Sequence, residues 1–421
     1  MIRSKRVFIA TAIVAAVGGC AQILGLEDPR DPPSGDAGAG AGDGAGGGDG
    51  GAIDPGDGGT SPDGSTSGDS SDPDVYEPPQ CSATGIRCGG PLGNTPVECE
   101  AGSAKLDVAP GPCPSICLVG LCVDPGSCVD DAGAPALRSC GPAHDQSCCA
   151  ATAIPAGSFS RSYDGVTAGA TDPSYRASVS MFVLDRFEVT VGRFRKFVAV
   201  YDSPSAQPPA KPAAGAGKNP HDLSDPGWDP TWPLPADAAA LVTMVKKPAG
   251  TWTDTVGANE SKPITSLDWY TAFAFCIWDS GRLPTEAEWN YAAAGGGDTS
   301  GQRVYPWSNP PGSTAIASTM ANYGSSEAND VGSRSPKGDG RWGQSDLAGN
   351  ASEWVLDRFV SPYPSKTCTN CGSSAVDAGP RVIRGGYFID DRDAVTASKR
   401  SSLLPDSSEY FAGVRCARTF R

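Results

Sequence analysis

Two histidines, His144 and His221, are all that this 421-residue chain contains. That inventory excludes an iron centre built on several imidazoles. His221 stands beside Asp222 and could act as a base for a serine, yet its Pro-rich surroundings read as a solvated loop. Positive charge is also scarce: 33 Lys and Arg face 48 Asp and Glu, for a net charge of −15. No cluster of basic residues offers the surface that a nucleic acid requires. Long apolar runs are missing too, since Val7 to Val17 is too short to span a bilayer as a lasting helix.

What that short run does fit is an export signal over residues 1–20, with Arg3, Lys5 and Arg6 ahead of it. Val17-Gly-Gly-Cys20 resembles the lipobox of bacterial lipoproteins, which implies cleavage before Cys20 and lipidation of its thiol. An ordinary secretory signal with an incidental cysteine is the alternative. Ala21 is not the aspartate that favours inner-membrane retention, so the expected site is the outer membrane of a Gram-negative bacterium. Residues 21–80 hold thirteen acids against Arg30 and are almost wholly Gly, Asp, Ser, Pro, Ala and Thr. Such a segment cannot offset chain entropy by burial and reads as a disordered acidic linker. Its Asp-Gly pairs never complete a D-x-[DN]-x-[DN]-G calcium loop.

Cysteine follows in excess: ten of the fifteen lie in residues 81–150, from Cys81 to Cys149. With Cys20 set aside, fourteen remain, an even number that suits disulfides in an exported protein. Cys113-x3-Cys117-x4-Cys122 is loosely zinc-like but has no C-x2-C pair. The region has too few large apolar residues to fold without staples.

A compact domain is expected over 151–421. At its centre, Pro263 to Gly296 reads as two helices. Ser266 is the expected N-cap of the first, with Trp269, Phe273, Cys276 and Ile277 on one face and Gly281 as its C′ residue. Thr285 and Glu288 form the capping box of the second. The pair is expected to place Trp269, Trp289 and Tyr291 in one core. Earlier, Ser180 to Phe197 reads as a strand leading to Thr190, the N-cap of another helix, and a Pro-rich excursion runs from Ser203 to Pro263.

Several blocks in register carry a resemblance: FVLDRFEVTVGRFRKFV, GRLPTEAEWNYAAAGG, Tyr305-Pro-Trp307, Ala321-Asn-Tyr323, LAGNASEW, RVIRGG, PDSS and GVRCAR. Together they resemble the formylglycine-generating enzyme (sulfatase-modifying factor) family. The resemblance implies a mixed α/β fold of low regularity, related to duplicated C-type lectins. It implies a disulfide between Cys276 and Cys416, closing a loop worth about 3 to 5 kcal/mol of unfolded-chain entropy. It also implies a calcium site at the side chains of Asp346 and Glu353 and the carbonyls of Gly349 and Ala351. These are hard oxygen donors in a glycine turn, although acids at a helix N-terminus would read the same way. A second calcium site, at Asn322 and Tyr323, lacks its completing block. Cys368-Thr-Asn-Cys371 reads as a local disulfide, with a redox or metal pair as the alternative.

The family's oxidase binds copper(I) through two cysteines five apart, shortly after the Gly-Gly of the RGG block. Here no cysteine lies between Gly386 and Cys416, Tyr387 replaces the usual serine, and Ser352 replaces a tryptophan. Copper is therefore not expected. Asp390, Asp391 and Asp393 occupy that place and could form an acid/base pair or metal cluster, or simply a solvated loop. Two readings follow. One is a lipid-anchored, calcium-stabilised module that binds a protein or glycan or serves a structural role. The other is an enzyme of the family with displaced ligands or altered chemistry.

Overall fold

The computed structural model describes residues 126–128, 139–206, 208–372 and 379–418, together with the backbone of 85–89, 95–100, 103–106, 116–118, 121–123 and 419. The expected signal, Cys20 and the acidic linker lie outside these residues, as do the side chains of the cysteines before Cys128. Among the described residues no helix is long and apolar enough to cross a membrane.

Short strands predominate. β1 (Gly85–Gly89), β2 (Thr95–Glu100) and β3 (Ser103–Leu106) form an antiparallel sheet, and β4 (Ile116–Leu118) pairs with β5 (Leu121–Val123). There follow β6 (Ala151–Ile154), β7 (Gly157–Ser160), β8 (Arg176–Val179) and β9 (Phe182–Asp185). Four helices come next: α1 (Val191–Val200), α2 (Ala238–Val245), α3 (Trp269–Trp278) and α4 (Glu286–Ala294). The chain ends with β10 (Ser352–Arg358), β11 (Thr367–Thr369), β12 (Arg381–Arg384), β13 (Ser401–Leu403), β14 (Ala412–Gly413) and β15 (Ala417–Thr419). Strand orders are β13-β12-β10-β14, β15-β9-β6 and β11-β8-β7. Because β15 pairs with β9, the end of the chain returns to the strand that feeds α1, and the Cys276–Cys416 disulfide fastens it to α3.

The caps follow local chemistry with two corrections. Thr190 accepts from the Arg193 N–H as expected. Ser266 does not cap α3: Asp268 does, accepting from the Thr271 N–H. The buried Leu267 still donates its N–H to the Ala412 carbonyl, so the chain is free to turn helical only afterwards. An aspartate there also suits the helix dipole. At the other end Ser280, with φ 62°, takes the left-handed position expected of Gly281. Ser280 N–H donates to Ile277 O and Gly281 N–H to Cys276 O, a Schellman pair. Gly281 is needed for a different reason, since a Cβ there would lie 2.8 Å from the Ala417 carbonyl oxygen. The Thr285/Glu288 capping box forms as read, and Gly295 closes α4 with φ 76°.

The single expected core is two. Trp269 belongs with Phe194, Phe197, Phe273 and Phe275, whereas Trp289 and Tyr291 pack with Phe159, Leu184 and Trp342. α3 is buried on nearly every side within the first cluster rather than presenting one stripe. The Pro-rich excursion is part of the first core: Trp232 lies 5.1 Å from Trp269 and 5.3 Å from Trp228, edge to face.

Ala151 is not the start of the packed region. The Ser127 N–H donates to Asp279 Oδ1 at 2.8 Å, Arg193 Nε donates to Ser127 Oγ at 3.0 Å, and Cys128 is bonded to Cys149. Cys140–Cys148 adds a second staple just ahead of β6.

Candidate functional site

Acidic residues in buried strands require partners, and here arginines supply them. Asp185 at the end of β9 and Asp279 at the end of α3 share Arg193 and Arg418, all four wholly buried. Burial alone would raise Asp185, but the charges of Arg418 and Arg193 outweigh it and leave the carboxyl below its ordinary range. Two positive and two negative groups balance, which makes this lattice a support rather than a reactive centre.

The neighbouring group is not balanced. Glu353, on β10, accepts from Arg415 Nε at 2.7 Å and Nη2 at 2.6 Å, and from the Trp289 indole N–H at 2.7 Å. Glu188 accepts from Asn350 Nδ2 at 2.6 Å and the Ala351 N–H at 2.9 Å. Asp346 Oδ2 accepts from the Gly332 N–H at 2.5 Å. All three carboxyls are buried, and Arg415 is the cation that faces them. Burial pushes Glu188 well above the usual range, reinforced by Asp346 and Glu353. Burial likewise raises Asp346 to about 6.

The loop between Asp346 and Glu353 is built for close backbone approach. Asp346, Gly349 and Asn350 have φ of 59°, 82° and 63°. A Cβ on Gly349 would lie 2.2 Å from the Asn322 carbonyl oxygen, so that position must be glycine. The four residues read for calcium thus lie in one buried stretch, from the turn at Asp346 to the start of β10 at Glu353. Glu188, which the sequence reading passed over, lies just beyond the end of β9 and holds that stretch through Asn350 and Ala351. All the groups are oxygen donors, which fits calcium, while Glu353 is also committed to Arg415. Among the described residues no three or more His, Cys, Asp or Glu converge as a metal cluster on their own. Asn322, from the weaker second site, donates its side-chain N–H to Glu327 O and Asn350 Oδ1 and so ties two loops together. Tyr323 packs beside Tyr305 and Val304.

After the RGG block the aspartates do not converge. Asp391 Oδ1 accepts from the N–H groups of Asp393 and Ala394, an Asx turn, and Asp393 is 83% exposed. Asp390 accepts from the Tyr387 N–H, and burial raises its carboxyl. Tyr387 instead joins an aromatic group: it stacks on Phe411 at 4.3 Å, with Phe388 and Tyr410 edge-on. His221 is exposed, and Asp222 accepts from Ser224, so the side chains of a hydrolytic triad do not assemble there.

A mixed α/β domain of short strands and few helices, knit by disulfides and buried arginine–carboxylate pairs, defines the class of fold. Residues 138–420 match the model of the sulfatase-modifying factor enzyme 1-like domain, and the chain belongs to that family. The formylglycine-generating enzyme of Streptomyces coelicolor is 34% identical over 186 residues, covering 41% of this chain and 57% of that protein. Bovine (Bos taurus) inactive C-alpha-formylglycine-generating enzyme 2 is 32% identical over 201 residues, covering 44% and 58%. The chain thus spans little more than half the length of these two relatives. A solved structure of PvdO from Pseudomonas aeruginosa aligns over 64% of this chain and 94% of its own, with 18% identity and a TM-score of 0.44.

Proposed function

We propose that this protein is exported and lipid-anchored at Cys20, and that its domain works as a calcium-stabilised binding or structural module rather than an oxidase. The observation that carries the reading is the 29-residue interval from Tyr387 to Arg415, which has no cysteine. Copper(I) needs soft thiolates, and a peptidyl cysteine needs a free thiol with which to exchange. Cys276 and Cys416 are buried in their own disulfide and offer neither. That one similar protein bears the name of an inactive homologue is in keeping with this. Asp346 and Glu353, with the carbonyls of Gly349 and Ala351, would hold calcium. The ion would supply positive charge to a turn where three carboxyls face one arginine. Tyr387, Tyr410 and Phe411, with the exposed Ile389 and Leu404, offer an aromatic face for a protein or glycan ligand.

The test is direct. Purified protein incubated with copper, oxygen and a Cys-x-Pro-x-Arg peptide should yield no formylglycine by mass spectrometry, and metal analysis should find calcium without copper. Copper-dependent aldehyde in the peptide would overturn the reading and restore the oxidase.

A further inference from the structure

We propose that Cys368 and Cys371 form a redox-active pair that exchanges with thiols or disulfides of another exported protein, Cys371 being the attacking sulfur and Cys368 the resolving one. The two are bonded in the structure, and Cys371 opens onto a cleft of about 110 Å3. The charged and titratable groups lining it are Arg161, Glu286, Asp357, Arg358, Tyr363 and Arg400. Arg161 Nη1 lies 3.8 Å from Cys371 Sγ, so a thiolate released there would meet a positive charge. Both cysteines are half-buried against the second core cluster, but of the two only Cys371 lines the cleft. The two sulfurs therefore differ in the way that an attacking and a resolving cysteine must.

The turn that carries them does not depend on the disulfide. Asn370 N–H donates to Ser178 O at 2.7 Å, its Oδ1 accepts from Ser180 N–H at 2.6 Å, and its Nδ2 donates to Ser180 Oγ at 3.0 Å. β11 is also paired with β8. A bond across three residues restrains the unfolded chain far less than the 140-residue Cys276–Cys416 loop does, so this pair is the weaker of the two as a staple. Reduction can occur with the turn still in place.

The chemistry balances without any further reagent. The reduced Cys371 thiolate attacks one sulfur of a substrate disulfide. A Cys371–substrate bond forms, the substrate S–S bond breaks, and the leaving thiolate takes a proton from the cleft. Asp357 lines that cleft, and burial with the charge of Glu286 raises its carboxyl to about 7, so it holds a proton near neutrality. Cys368 then attacks Cys371 Sγ, expels the second substrate thiolate and restores the disulfide. Two electrons pass from the pair to the substrate, and the reverse sequence oxidises a substrate dithiol.

The experiment uses the intact protein in graded glutathione buffers, with trapping by alkylation and mass spectrometry. Cys368–Cys371 should open while Cys276–Cys416, Cys128–Cys149 and Cys140–Cys148 stay oxidised and the circular dichroism is unchanged. With an oxidised-glutathione probe, Cys368→Ser should form the mixed disulfide at Cys371 roughly tenfold faster than Cys371→Ser forms it at Cys368. Arg161→Met should move the pH profile of Cys371 alkylation upward, and Arg161→Lys should return it. Equal trapping by the two variants would overturn the proposal. So would opening of the pair only together with loss of the fold, which the wild-type series detects even if a variant fails to fold.

Discussion

Arg415→Met is the sharpest probe of the buried acidic turn. The side chain is wholly buried and binds both oxygens of Glu353, the carbonyls of Asp185 and Arg186 at 3.2 and 3.0 Å, and that of Ser345 at 2.8 Å. Methionine has a similar length but no N–H, so Glu353 loses its cation and keeps only the Trp289 indole N–H, beside Glu188 and Asp346. Stranding one member of a buried pair costs about 3 to 5 kcal/mol. For a domain of this size that lowers Tm by roughly 10 °C in a chelator. Glu353→Gln combined with Arg415→Met removes the carboxyl that Arg415 pairs most closely and should recover a large part of the loss. Calcium added to the single variant should also restore stability, about 2.7 kcal/mol at a hundred times its Kd. Thermal unfolding followed by circular dichroism, with chelator and with calcium, reads all of these. If the single and double variants lose the same stability, charge burial is not what Arg415 relieves. If calcium raises neither wild type nor Arg415→Met, the turn does not hold the ion.

Three further outcomes follow from particular groups. Cys276→Ala with Cys416→Ala opens a disulfide spanning 140 residues and should lower urea stability by about 5 kcal/mol, against about 2 for the Cys368/Cys371 pair. Asp357, half-buried, is raised to about 7 in the folded protein, so its contribution is complete below the unfolded value near pH 4 and is lost as pH rises through 7. Asp357→Asn should flatten the stability profile between those limits, and an unchanged slope in a pH series of melts would count against the assignment. Cys20→Ala should leave the protein unprocessed or released from membranes, and wild-type fractionation of the variant would remove the lipid anchor.

Where local chemistry decided the backbone, it could be read in advance. Thr285 and Glu288 satisfy each other's N–H groups whatever surrounds them, and Thr190 caps α1 in the same self-contained way. Ser266 failed as a cap because a tertiary bond, Leu267 N–H to Ala412 O, delays the helix. The core was misjudged for a related reason. Trp269 and Trp289 are twenty residues apart on consecutive helices, yet α3 is apolar on all sides and carries no stripe that would say which neighbours it meets.

The site was legible only in its linear part. Asp346, Gly349, Ala351 and Glu353 lie together because they fall in one stretch of chain, whereas Glu188 and Arg415 reach it from 158 and 69 residues away from Asp346. A signal for both was nonetheless present: Glu188 sits between Phe187 and Val189 and Arg415 between Val414 and Cys416, so each is a charge flanked by residues expected to be buried. The cleft at Cys371 had no such trace. Arg161 follows β7, Asp357 lies on β10 and Arg400 precedes β13, and only the folding of β11 beside β8 brings a C-x-x-C turn within 3.8 Å of an arginine. The aspartates after Gly386, open in sequence to a cluster or a solvated loop, make the complementary point. Adjacent acids repel and bind their own backbone, and Asp391 does so by accepting from the N–H groups of Asp393 and Ala394. A chemistry-bearing group is therefore better sought where charges are buried from distant parts of the chain than where they lie side by side.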